Sequence, residues 1–190
     1  LTTTLQTTGT NYTVTVNNVR DRAVAANLIA PGSATNFIAS SFVAADIGAV
    51  AVAGQQVTVS NGMDLIASGS GISGTSDQFT FSYQNYTNNF DVRVRVASLG
   101  LVGTWTRAAL LARDGLSTNA PFAASVATPG PAGCHFESRL ITGGNAALAG
   151  SFPVNFPDTW LRLRRVGNVF DGFASLDGST WEYLGSSTIA

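Results

Sequence analysis

The sequence predicts an all-β protein, an antiparallel β-sandwich preceded by a short two-strand segment. Three observations lead there. Apolar and polar residues alternate through many runs of five to seven, the period of a half-buried strand. Gly, Asn, Asp and Pro cluster between those runs as turns. No stretch sustains a 3.6-residue apolar stripe over three turns, so no amphipathic helix competes.

The elements follow in order. Tyr12–Val16 alternates between Asn-containing flanks and reads as a strand. After the Ala30-Pro31-Gly32-Ser33 turn, a second strand is expected around Thr35–Ala39. Gln56–Ser60 repeats the pattern and runs into the tight-turn pair Asn61-Gly62. Phe79–Tyr83 and Phe90–Val96 read as a hairpin-like pair around Gln84–Asn89. Further strands are expected at Ala108–Ala112, Phe122–Val126, His135–Ile141, Trp160–Arg165, Val169–Ser175 and Trp181–Leu184. Gly143-Gly144-Asn145, Val166-Gly167-Asn168 and Asp177-Gly178-Ser179 supply the later turns. Period-2 placement puts Phe79, Phe81, Val92, Val94, Val96, Leu110, Leu161, Leu163 and Phe170 inside. A seam near Ala39–Gly48 separates residues 1–42 from a sandwich over 46–190, and two strands alone bury too little for a core of their own.

Composition narrows the function classes. Charged residues make up only 11% of the chain, about half the usual share. All ten basic residues are Arg, and the formal net charge is −1, which argues against a sequence-independent grip on nucleic acid. No apolar run approaches the length of a membrane-spanning helix, so no membrane insertion is expected. The single cysteine, Cys134, has no internal disulfide partner, and no Cys/His spacing suggests zinc.

Two segments resemble known families. Asn11–Ala23 with Ile29–Ser33 resembles the last two strands of bacterial Ig-like domains, which stack in surface proteins. Residues 46–190 resemble concanavalin A-like jelly-roll modules of large secreted bacterial proteins, of the laminin-G-like and DUF1349 types. Asp46-Ile47-Gly48, Gly69–Gly74, Val94–Leu99, Trp160–Arg165 and Ser175–Trp181 carry that likeness. The resemblance implies an extracellular or cell-surface location. It also implies Ig-like strands before Leu1 and one or two closing strands after Ala190. On that reading Leu1–Val19 is a donor strand for a neighbouring copy, or the chain is part of a longer polypeptide.

Catalytic signatures are lacking. Cys134 and His135 are neighbours on a strand and point to opposite faces, which prevents a nucleophile–base pair. The expected arrangement is a buried thiol beside an exposed imidazole. Glu137 and Glu182, the only glutamates, lie on separate strands without the spacing of a glycosidase carboxylate pair. The chain is therefore expected to be non-enzymatic.

Binding residues are more numerous. If Val92, Val94 and Val96 face the core, Arg93 and Arg95 face outward. By the same alternation Arg107 shares a face with Arg113, Glu137 with Arg139, and Trp160 with Arg162 and Arg164. Were these strands one sheet, seven arginines would share one face. That face suits an acidic or hydroxylated polymer, because planar guanidinium matches carboxylate and sulfate. It equally suits a solvated face of Arg–carboxylate cross-strand pairs. Trp105, in the loop-like Gly103–Thr106, and Trp160 are the aromatic platforms proposed beside it; Trp181, Tyr183 and Tyr86 are further aromatic candidates. Asp77, Asp114, Asp158 and Asp177 lie at turns, where carboxylates hold Ca²⁺ or bond their own backbone.

These observations lead first to a non-catalytic structural or adhesive module of a bacterial surface protein or filament. A carbohydrate-binding module of a secreted enzyme or adhesin comes second and a glycoside hydrolase third. Polysaccharide and neighbouring copies of the chain are the expected partners, with Ca²⁺ the one cofactor weighed.

Overall fold

The computed structural model describes residues 10–20, 27–38, 42–59 and 62–190. Asn61 of the expected Asn61-Gly62 turn and about half of the Leu1–Val19 segment fall outside them. The chain divides into two units, Leu1–Val43 and Ala44–Ala190.

In the first unit β1 (Asn11–Val16) pairs antiparallel with β2 (Ser33–Ile38), from Asn11 opposite Ile38 to Val16 opposite Ser33. Gly32, at φ +77°, makes the entry to β2, and its N–H donates to Asn17 Oδ1 at 2.8 Å.

The second unit is all strand and turn. β3 (Val43–Ile47) begins at its boundary and pairs with β6 (Phe79–Tyr83); β4 (Gln55–Val59) and β5 (Gly62–Ile66) form a hairpin. Then come β7 (Phe90–Val96), β8 (Ala108–Arg113), β9 (Phe122–Ala127), β10 (Cys134–Arg139), β11 (Ala147–Phe152), β12 (Thr159–Val166), β13 (Val169–Ser175) and β14 (Glu182–Thr188). Two four-stranded antiparallel sheets result, in the orders β11-β10-β9-β8 and β14-β13-β12-β7. Their inner faces share one core of Ala123, Ala127, Cys134 and Phe136 from the first sheet and Leu161, Leu163, Phe170, Ala174 and Leu184 from the second. This is a sandwich-like arrangement. The Phe136 ring fits because glycines face it: a Cβ on Gly172 would stand 2.4 Å from the ring, and one on Gly185 3.1 Å.

Four expectations are corrected. Phe79–Tyr83 and Phe90–Val96 are not a hairpin, since β6 pairs with β3 and β7 with β12. Val92 and Val94 lie opposite the buried Leu163 and Leu161, on the core-facing side, yet are 42% and 41% exposed. Their strand is the last in its sheet, and a strand with one neighbour is covered less than a central one. Phe79 and Phe81 are half-buried outside the main core; Phe79 packs in a second apolar cluster and Phe81 stacks on Tyr83 with centroids 5.3 Å apart. Strands β3, β5 and β11 were not expected.

Burial pushes the Cys134 thiol up to about 12. Because the thiolate is the reactive form, native protein at pH 8 should leave Cys134 unmodified by a disulfide reagent. Its labelling should follow global unfolding in a denaturant series, and rapid labelling of folded protein would contradict this core.

Candidate functional site

Alternation along β10 sends Cys134 and Phe136 into the core between the sheets and His135, Glu137 and Arg139 to the other face. That face is roofed by the segment 70–79, which packs Ile72 and Phe79 against Phe122, Ala124, Val126 and Leu111. Gly71 and Gln78 exchange both backbone hydrogen bonds, at 2.9 and 2.8 Å, closing the segment into a loop. A row of ionisable side chains is trapped beneath it, and its two ends behave differently.

At the Arg139 end, Arg139 and Asp77 leave no buried side-chain nitrogen or oxygen without a hydrogen bond, whereas Arg113 Nε and Nη1 beside them have no partner among the described residues. Arg139 Nη2 and Nη1 donate to Asp77 Oδ1 and Oδ2 at 2.6 and 2.9 Å, and Arg113 Nη2 adds a third bond to Oδ2 at 3.2 Å. Arg139 also donates to the carbonyls of Gly74, Ala120 and Gly144, at 2.9, 3.1 and 3.0 Å. One buried guanidinium thus ties the roof to two neighbouring loops. The rings of Phe122 and Phe79 lie 5.0 and 5.4 Å from the Arg139 and Arg113 guanidinium carbons. Burial pulls the Arg113 pKa down, against the attraction of Asp77.

The Glu137 end is not satisfied. Glu137 and His135 are 0% and 1% exposed, yet among the described residues nothing hydrogen-bonds either Glu137 oxygen or either imidazole nitrogen. The nearest charges are His135 Nε2, 3.6 Å from Glu137 Oε2, and Arg107 Nη2, 4.0 Å from the same oxygen. Arg107 also lines an open depression of about 290 Å³ with Ser70, Ser73, Trp105 and Leu148. Trp105 is 57% exposed, with the Arg107 guanidinium 5.8 Å from its ring centroid. Leu148 is the β11 residue opposite Glu137. Gly71 lets the roof approach, since a Cβ there would lie 2.7 Å from Arg107 Nη1.

The seven arginines do not share one face. Arg107, Arg113 and Arg139 belong to this roofed face of the first sheet. Arg93, Arg95, Arg162 and Arg164 lie on the outer face of the second. Alternation settles a residue's face within its own strand, but the common sheet assumed for all the strands does not exist. On the outer face Arg162 grips Asp91 with two hydrogen bonds, Nε to Oδ1 at 2.7 Å and Nη2 to Oδ2 at 2.5 Å, between the rings of Phe173 and Trp181. The hydrogen bonds from Arg162 hold the Asp91 carboxyl below its usual range. Arg164 pairs with Asp171 at 2.8 Å, and Arg93 donates to the Gly178 carbonyl at 3.1 Å. Trp160 is half-buried over Gly178, where a Cβ would stand 2.9 Å from its ring.

The aspartates expected at Ca²⁺ sites are scattered, and among the described residues no three His, Cys, Asp or Glu side chains cluster as a metal site. Both Asp77 oxygens face guanidinium groups, which exclude a cation there. Asp177 Oδ1 accepts from the Ser175 hydroxyl and the N–H groups of Ser179 and Thr180, a turn closed on its own backbone. Asp114 and Asp158 are exposed. His135 is buried, against the expected exposed imidazole.

No family model matches the chain, and neither does any curated protein or solved structure.

Removing one partner of a buried ion pair strands the other charges. Asp77→Ala should therefore destabilise the second unit by about 3–5 kcal/mol in chemical denaturation; a loss below about 1 kcal/mol would show that the Arg139 carbonyl contacts suffice alone.

Asp177 gives a pH test. Hydrogen bonds from the Thr180 and Ser179 backbone hold its carboxyl well below the usual 3.8. A carboxyl with a depressed folded-state pKa stabilises fully above its unfolded value and loses that contribution as pH falls through the folded one. Asp177→Asn should flatten the fall in thermal stability below about pH 4. Parallel acid limbs for the two proteins would remove Asp177 from the account.

Proposed function

We propose that the unit Ala44–Ala190 is a non-catalytic carbohydrate-binding module whose site is the Trp105–Arg107 depression. One observation carries this reading. A buried carboxylate with no hydrogen-bond partner stands 4.0 Å from an arginine that lines an open depression beside an exposed tryptophan. Buried polar groups are nearly always paired, so an unpaired one calls for a partner from outside the chain. A hydroxyl-rich ligand supplies hydrogen-bond donors and acceptors for Arg107, Ser70 and Ser73, and an apolar ring face for Trp105. Glu137, 4.0 Å behind Arg107, supplies the opposite charge to its guanidinium.

The non-catalytic part rests on the missing second carboxylate. Hydrolysis of a glycosidic bond takes two facing carboxyl groups, and the nearby Asp77 is held by two guanidinium groups. We read the sandwich as a laminin-G-like jelly roll and the β1–β2 segment as Ig-like, displayed by an extracellular bacterial protein. A purely structural or adhesive role is the second reading, favoured by the outer sheet face, where Arg162 and Arg164 are already neutralised by Asp91 and Asp171.

Affinity electrophoresis and calorimetry against neutral and uronate-containing oligosaccharides test the proposal. Trp105→Ala should weaken binding about tenfold or more, as losing one stacking contact of about 1.4 kcal/mol would, with melting unchanged. Binding untouched by that substitution, or no binding to any glycan, would leave the structural reading.

A further inference from the structure

Strand β7 ends its sheet, and among the described residues nothing pairs with its outer edge. Its backbone N–H and C=O groups on that side lack strand partners, a template for another extended chain. Both faces of the strand are open as well. Val92 and Val94 are about two-fifths exposed on the core-facing side, whereas Leu163 and Leu161 opposite them are 1% and 0% exposed. Arg93 and Arg95 are exposed on the outer side, and Arg95 makes no ion pair among the described residues.

The residue order along this edge selects its partner. Phe90-Asp91-Val92-Arg93-Val94 is symmetric in apolar character about Val92 and antisymmetric in charge. Two antiparallel copies related by a two-fold axis at Val92 would place Asp91 opposite the partner subunit's Arg93, twice by symmetry. Phe90 would meet the partner subunit's Val94, and the two Val92 side chains would meet on the axis. Registers that keep the valines on one face must place the axis on a residue, since a half-step sends apolar side chains to the wrong side. An axis at Arg93 sets that residue against itself, and one at Val94 sets Arg93 against Arg95. Only the axis at Val92 gives two opposite-charge pairs and no like pair among these three choices. Charges on an edge strand ordinarily repel a second copy; in the Val92 register the opposite signs of Asp91 and Arg93 do the reverse.

We propose that the outer edge of β7 is a self-association surface, on which a second copy of this chain pairs antiparallel about Val92 and joins the two β14-β13-β12-β7 sheets into one. Such a two-fold interface is self-complementary and closes as a dimer. The contact is independent of the Trp105 depression, which lies on the other sheet, so glycan binding and dimerisation can fail separately.

Sedimentation velocity on the full chain across a concentration series tests this. The wild type should show a concentration-dependent dimer. Arg93→Asp faces each Asp91 with a carboxylate and should weaken the dimer about tenfold or more, as two reversed cross-strand pairs would. It leaves the Asp91–Arg162 contact in place, so near-UV circular dichroism should stay native. Val92→Asp, at a position already exposed, should do the same by placing two carboxylates on the axis. Asp91→Arg alone should be monomeric, and mixing it with Arg93→Asp should restore a heterodimer. A wild type that stays monomeric at several hundred micromolar overturns the proposal. So does a dimer indifferent to both Arg93→Asp and Val92→Asp.

Discussion

The bidentate Asp77–Arg139 pair holds the roofed face together. The segment 70–79 is also anchored by the side chains of Ile72 and Phe79 and by two backbone bonds, from Asp77 N–H to the Thr118 carbonyl and from Ala146 N–H to the Gly74 carbonyl. Isolated buried charges are expensive to desolvate. This pair is tolerated because every polar direction of Arg139 ends on a carboxylate or a carbonyl: Asp77 from the roof, Gly74 beside it, and Ala120 and Gly144 from the connections around β9 and β10. Arg113 adds a second guanidinium to the same carboxylate from β8. The network replaces apolar packing as the means of fixing three loops against one sheet. It also decides where the sheet face is closed and where it can open.

Two residues along β10 from Arg139, the same logic fails at Glu137. Both side chains point to the same face and both are fully buried, but Glu137 has only a guanidinium at 4.0 Å and an imidazole at 3.6 Å. Those distances are too long for hydrogen bonds. A protein optimised for stability alone would fill this position with an apolar residue, as it does with Ala124 and Val126 on the adjacent strand. Polar groups left unsatisfied in a well-connected core are usual at functional sites. The contrast between the ends of one strand, rather than any single residue, separates framework from site.

Much of this was legible in the sequence, for identifiable reasons. The alternation in Phe90–Val96 and Trp160–Arg164 located β7 and β12 because apolar and long polar residues interleave there. Strand β11, Ala-Leu-Ala-Gly-Ser-Phe, was invisible because its small residues carry no period. It is a strand because β10 pairs with it, around a bulge where Gly150 takes φ +69°. The openness of Trp105 followed from its loop-like context in Gly103–Thr106. The scatter of the arginines did not, because alternation reveals the face within a strand and says nothing of which strands are neighbours. His135, Glu137 and Arg139 at every second position did signal a polar sheet face. That this face is roofed depends on residues some sixty positions earlier, such as Gly74 and Asp77.

The exclusive use of arginine also acquires a physical reason. Asp77 needs a planar fork that bonds both oxygens at once, and Arg162 must bond Asp91 through two nitrogens while lying between Phe173 and Trp181. Arg107 faces Trp105, Arg113 faces Phe79, and Arg165 faces Phe170, each with its guanidinium carbon under 6 Å from the ring centroid. A lysine ammonium is a strongly hydrated point charge that offers neither the fork nor the flat stacking surface. Arg113, Arg139, Arg162, Arg164 and Arg165 each bond and stack together, so these five act as packing elements of the sandwich rather than as a solvated coat. The ring of Trp105 and the close approach of Gly71 hold the Arg107 guanidinium in one orientation, the kind of preorganisation that would lower the entropic cost of binding the proposed ligand.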